Sequence, residues 1–173
     1  MARDAIDMLC AVLELEKRER RFYEEAEAAC PDPVGKEVFR MLLAEEEDHA
    51  AHVEALRRRF ETGEGWSEAC LLEGPSADAA AAVRHVAERH AEALRRGMDK
   101  VAALGVGIEM EAASAAFYEG LLEKAKDPFE RRFLEEMARA ERRHHLILTD
   151  LQYYYEDPEG YFMEKEHRGL DGA

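Results

Sequence analysis

Glu46 with His49, and Glu141 with His144, each pair a glutamate with a histidine three residues later. On a helix, residues three apart share a face. A carboxylate and an imidazole so placed can hold one cation together, and such mixed ligands suit iron or manganese, with zinc as a competitor. A lone E-x-x-H carries little weight, because a chain this rich in Glu yields about one such match by chance. The surroundings carry more. Glu46 and His49 fall within the stripe Phe39, Leu42, Val53, Leu56; Glu141 and His144 fall within Leu134, Met137, Leu148, Leu151. These are the spacings of a helix's inward apolar face. An acid inside such a stripe costs free energy unless something there needs it.

The two segments belong to a longer repeat. At an offset of 95, Glu16 matches Glu111, Phe22 matches Phe117, Tyr23 matches Tyr118, and Asp32-Pro33 matches Asp127-Pro128. Glu46, His49 and Leu56 match Glu141, His144 and Leu151 at the same offset. Each half reads E-x6-Y, a turn with Asp-Pro, then E-x-x-H, which is the mark of a duplicated helical hairpin. Glu16 and Glu111 also interrupt apolar stripes: Ile6, Leu9, Leu13, Tyr23 for the first, and Leu104, Ile108, Ala115, Tyr118, Leu122 for the second. Glu16 and Glu46 each lie about 15 residues from their turn, or about 22 Å at ~1.5 Å per residue, so they share a depth in an antiparallel hairpin. Glu111 and Glu141 stand in the same relation. Packing the hairpins together gathers four carboxylates and two imidazoles. Four buried carboxylates alone would raise one another's pKa values, whereas two divalent cations balance them. One Glu from each of two helices plus Glu-x-x-His from each of the other two is the di-iron or di-manganese carboxylate arrangement.

The elements that must position these residues read as a single all-α domain over residues 1–173. Helices are expected at about 3–29, 33–61, 98–126 and 128–156, with a connection at about 62–97 and a tail at 157–173. Asp32-Pro33 and Asp127-Pro128 read as N-cap plus first-turn proline, and Glu130 stands where it could complete a capping box. The connection opens with TGEGWSEACLLEGPSA and continues with DAAAAVRHVAERHAEALRR, a further helical stretch that Gly97 interrupts. A crossover this long lets the second and third helices lie parallel, or lets elements be exchanged between two subunits. Asp157-Pro158 ends the fourth helix, and the aromatic tail can pack on the bundle.

Composition agrees. Hydrophobic residues make up 47% of the 173, and helix-forming types dominate over β-branched ones. The net charge of -15 argues against nucleic acid and against an anionic membrane surface, since both want a basic patch. Cys10, Cys30 and Cys70 form no C-x-x-C pair, which excludes a rubredoxin-type or zinc-ribbon site and fits reduced thiols in a cytoplasmic protein. The first residues lack the apolar run of a signal peptide, and no stretch is long and apolar enough to span a bilayer.

The segments LELEKRERRFYEEA, AEEEDHAAHVEAL, IEMEAASAAFYEGL and ARAERRHHLILTDL resemble the four ligand helices of the ferritin-like superfamily, and within it the rubrerythrin group. The resemblance covers nearly the whole chain. It implies a four-helix bundle with a long crossover between its second and third helices. It implies two iron ions, with manganese or a mixed pair as the alternative, held by Glu16, Glu46, His49, Glu111, Glu141 and His144. Tyr23 and Tyr118 would stand beside them in a redox or proton role, although packing with a satisfied hydroxyl explains them equally well. The implied function is redox chemistry with hydrogen peroxide or O2, protecting against oxidative stress as an oxidoreductase in a homodimer. The alternatives are ferritin-like iron binding, ferroxidase action and storage or delivery, and a metal-free helical scaffold. Two departures stand out. The cysteine pairs of a rubredoxin-like domain are missing, so electrons would come from an external donor such as a rubredoxin-like protein. The group also places a further glutamate one turn after the third helix's ligand, where this chain has Ser114.

Other polar residues read more plainly. His145 follows Glu141 by four residues but lies off the stripe, and His52 lies one turn beyond His49, where it could line an access route. Glu14, Glu45, Glu47, Asp48 and Glu109 are expected to be solvated, as are His85 and His90. Arg20, on the first helix's stripe, is expected at the bundle rim or beside an acid near the site.

Overall fold

The computed structural model describes residues 2–67, 70–71 and 101–170. Among the described residues five helices follow in order: α1 (Ala2–Ala29), α2 (Pro33–Glu61), α3 (Val101–Leu122), α4 (Pro128–Glu156) and α5 (Pro158–Leu170). The helical stretch expected within the crossover, with His85, His90 and Gly97, lies outside the described residues.

Local chemistry explains the boundaries. Asp32 caps α2 by accepting from the Gly35 amide at 2.7 Å, with Pro33 in the first turn. Asp32 also accepts from the Tyr155 hydroxyl of α4. No side chain fits at Gly35, because a Cβ there would meet the Tyr155 hydroxyl at 2.6 Å and the Cys30 sulfur at 2.8 Å. α2 ends in a Schellman turn: Glu64 N donates to Arg59 O at 2.9 Å and Gly63 N to Phe60 O at 3.2 Å, with Gly63 at φ 85°. Asp127 caps α4 by accepting from the amides of Phe129 and Glu130.

Two expected boundaries move. α3 stops at Leu122 rather than near 126. The Arg131 guanidinium donates to Leu122 O, the last carbonyl of α3, at 3.0 Å and to Ala125 O of the following turn at 3.2 Å. The tail is helix α5 as far as Leu170. Asp157-Pro158 ends α4 and also starts a new helix, with the Gly160 amide donating to the Asp157 carboxylate at 2.9 Å. This is a third use of the Asp-Pro start already seen at Asp32-Pro33 and Asp127-Pro128. Tyr161 anchors α5, buried against Tyr154 with ring centroids 5.3 Å apart.

The core has two apolar halves. One holds Tyr23, Val38, Leu42, Leu104, Ile147, Leu151 and Tyr161. The other holds Leu9, Leu13, Leu56, Phe60, Tyr118, Phe133 and Met137. The sequence positions show that every bundle helix runs from one half to the other, crossing a polar layer midway. α1 and α4 run one way, α2 and α3 the other. The parallel α2 and α3 require a connection that travels the length of the bundle, which is why so many residues separate them. This all-α ferritin-like topology is the one expected from the sequence. Backbone packing is closest within each hairpin, α1 on α2 and α3 on α4. The start of the crossover packs at the second half of the core, where Trp66 lies against Phe60 and Phe133 at 5.1 and 5.6 Å. Cys10, Cys30 and Cys70 form no disulfide. Among the described residues, no helix is long and apolar enough to cross a membrane.

Candidate metal centre

Every bundle helix places a fully buried glutamate in the polar layer: Glu16 of α1, Glu46 of α2, Glu111 of α3 and Glu141 of α4 are each 0% exposed. His49 and His144 are buried with them. The side chains fall into two overlapping groups whose donor atoms lie within 4.8 Å of one another. One group is Glu16, Glu46, His49 and Glu141; the other is Glu46, Glu111, Glu141 and His144. Glu46 and Glu141 belong to both, while each remaining acid and histidine belongs to one.

His49 Nδ1 lies 3.4 Å from Glu16, 3.3 Å from Glu46 and 4.0 Å from Glu141. His144 Nδ1 lies 2.7 Å from Glu46, 3.6 Å from Glu111 and 3.9 Å from Glu141. The two rings stack at 5.7 Å with 17° between their planes. Each nitrogen therefore faces three carboxylates from three helices. The duplicated hairpins meet about a local pseudo-two-fold. Across it the tyrosines exchange: Tyr23 of α1 donates to Glu111 of α3, and Tyr118 of α3 donates to Glu16 of α1.

Many of these polar atoms have no hydrogen bond. They are Glu16 Oε2, Glu46 Oε1, Glu111 Oε2, both oxygens of Glu141, and His144 Nδ1. The pair His144 Nδ1 and Glu46 Oε1 is close enough for a hydrogen bond but not aligned for one. Buried polar atoms are almost always paired, and each orphan costs about 1–3 kcal/mol. Orphans in one layer, on oxygen and imidazole nitrogen from all four helices, fit a cation-binding site.

The electrostatics fit as well. Burial pushes Glu16 up to about 7, although His49 beside it opposes the shift. Burial, then the charges of Glu46, Glu19, Glu111 and Glu16, push Glu141 well above the usual carboxylate range. Burial would raise Glu46 too, but the charge of His144 and the hydrogen bond and charge of His49 hold it below that range. His49 is pushed up to about 9, burial opposing and Glu16 and Glu46 prevailing. His144 is raised for the same reason. Protons here do the balancing that divalent ions would do better, since a bound ion is the largest charge in such a site. Burial and the facing carboxylates keep Tyr23 and Tyr118 protonated, with their pKa values well above ordinary phenol.

Two acids depart from the sequence reading. Glu19, one turn after Glu16, is fully buried and accepts from the Ser114 hydroxyl. Burial and the charges of Glu46, Glu111 and Glu16 push it up to about 10. A signal for it existed: Glu19 and Ser114 are mates at the offset of 95. Glu45, expected to be solvated, is only 30% exposed and accepts from His144 Nε2 at 3.0 Å and from Arg143. Burial would raise it, but His144 and Arg143 lower it. An acid on the far nitrogen fixes the ring so that Nδ1 faces the layer.

The remaining candidates fall elsewhere. His52 packs its ring on Phe133 at 6.0 Å and meets the Cys70 carbonyl at 3.0 Å. His145 is half-buried, and neither His52 nor His145 belongs to a donor group. Arg20 is exposed. A family model described as Rubrerythrin matches residues 7–152. No curated protein and no solved structure gives a significant match.

Proposed function

The chain belongs to the rubrerythrin family, and from that premise we propose that it is a non-haem di-iron protein acting on hydrogen peroxide or O2. Glu16, Glu46, His49 and Glu141 would hold one ion, and Glu46, Glu111, Glu141 and His144 the other. When bound, two iron ions would supply the two electrons that reduce the oxidant; manganese or a mixed pair suits the same donors. The observation that carries the reading is that two buried four-donor groups share Glu46 and Glu141, with unpaired oxygens facing one another.

The chain's own residues divide the remaining work. Glu45 orients His144 through Nε2. The aromatic and aliphatic side chains above and below the layer keep water out, which strengthens every charge interaction within it. Tyr23 and Tyr118 hold protons on hydroxyls directed at Glu111 and Glu16. Each is thus a proton donor hydrogen-bonded to an acid of one donor group. Electrons would reach the site from a separate donor of rubredoxin type.

Stopped-flow mixing of the anaerobic Fe(II)-loaded protein tests this reading. Rapid oxidation by peroxide, slow oxidation by O2 and two irons per chain are expected. Uptake of many irons per chain would replace it with a storage role. Metal analysis after anaerobic purification that found no stoichiometric metal would leave only a helical scaffold.

A further inference from the structure

Among the described residues, Glu19 is the fully buried carboxylate that lies outside both donor groups. It is on α1, but its bonding is across the bundle. Oε1 accepts from Ser114 of α3, one turn beyond Glu111, and Oε2 has no partner. A buried carboxyl with one bonded oxygen is costly unless another ligand claims it. The repeat makes the position informative. Glu19 and Ser114 are equivalent in the two halves, so the layer has a carboxylate at one of two pseudo-symmetric places and a hydroxyl at the other. Tyr23–Glu111, Tyr118–Glu16 and Ser114–Glu19 show that α1 and α3 face each other here. The partner of Glu19, Ser114, shares a helix face with Glu111, three residues before it on α3, and Glu111 belongs to only one group.

We propose that Glu19 is a further metal donor, serving the ion held by Glu111 and His144, and that Ser114 is the partner on which its carboxylate rests. This inference depends on the metal-centre reading above. It makes the two ions unequal: one has five candidate side chains, the other four. A carboxylate that can leave a hydroxyl for an ion gives one half of the centre a variable coordination number.

Anaerobic Co(II) titration of the full chain, read by visible absorption and equilibrium dialysis, tests it. The wild-type chain is expected to take two ions. Glu19→Gln keeps an acceptor for Ser114 but offers a poor ligand. It is expected to weaken one ion by about 10–100-fold, the usual cost of losing a supporting metal contact, and leave the other unchanged. Ser114→Ala releases Glu19 and is expected to keep both ions at least as tightly bound. Glu19→Met, which removes the buried polar group, is the second variant if Glu19→Gln folds poorly, and is expected to show the same split. Unchanged binding of both ions in the Glu19 variants, or equal weakening of both, overturns the inference while leaving the metal centre intact. No Co(II) uptake by the wild-type chain overturns both.

Discussion

Replacing Glu141 with methionine separates what the layer does for folding from what it does for binding. Glu141 is fully buried on α4, and neither of its oxygens has a hydrogen bond. Methionine is close in length and volume. If each orphan oxygen costs ~2 kcal/mol, removing both returns about 4 kcal/mol to the metal-free protein. Imperfect packing of the new side chain takes back ~2 kcal/mol. A net gain of about 2 kcal/mol raises the melting temperature by about 6 °C in a domain of this size. Metal acts in the opposite sense. Free ion at one hundred times Kd stabilises the wild type by about 2.7 kcal/mol, or ~8 °C. Glu141 belongs to both donor groups, so its loss is expected to abolish that rise. The assay is thermal unfolding by circular dichroism, with and without Mn(II), for wild type and Glu141→Met. A metal-free variant that melts below the wild type while keeping the metal-induced rise would refute the view that the carboxylate is retained for a ligand at the expense of the fold.

Three further outcomes are expected. The metal-free protein should lose stability as pH rises. Glu16 goes from 4.5 to about 7, His49 from 6.5 to about 9 and Glu19 from 4.5 to about 10, so the folded state holds these protons more tightly than the unfolded one. That contribution is complete below pH 4.5 and is lost between pH 4.5 and 10, at about 1.4 kcal/mol per unit for each group in its window; urea unfolding at a series of pH values checks it, and added Mn(II) should stabilise more as pH rises because binding displaces protons. Tyr23→Phe and Tyr118→Phe should each retain two metals but slow reoxidation by peroxide at least tenfold in stopped flow, the lower range for losing a positioned proton donor being about 10²-fold. Asp32→Ala should cost more than Asp127→Ala, about 2 against about 1 kcal/mol in chemical denaturation, because Asp32 also accepts from Tyr155; equal losses would show that the tie to α4 contributes nothing.

The sequence made the layer legible because two glutamates interrupt apolar stripes in the first half and the same pair recurs in the second at one offset. Periodicity placed Glu16, Glu46, Glu111 and Glu141 inside, and the structure brings them together with both histidines. Glu19 escaped because residues three apart share a helix face broadly, so one acid of the pair was assigned inward and the other was not singled out. Ser114 was visible only as a departure; its repeat mate was the missing clue. Glu45 escaped for a different reason. Its partner nitrogen, His144 Nε2, comes from another helix, and no spacing within α2 records it. The tail was read as an end because Asp-Pro both stops and starts helices, and the choice is made by what lies beyond. Here Tyr161 and Phe162, packed on Tyr153 and Tyr154 of α4, supply the packing that rewards continuing.

The exchanged tyrosines also bear on how fast the centre can fill and empty. Tyr23, Tyr118 and Ser114 pin α1 to α3 across the seam between hairpins whose backbones pack more closely within than between. Parting that seam would expose the donor layer without melting a helix, but all three pins lie in the way. Uptake and loss of ions would then be gated, at rates set by openings of the seam rather than by diffusion. A centre latched in this way can retain weakly held metal for far longer than its equilibrium affinity alone implies.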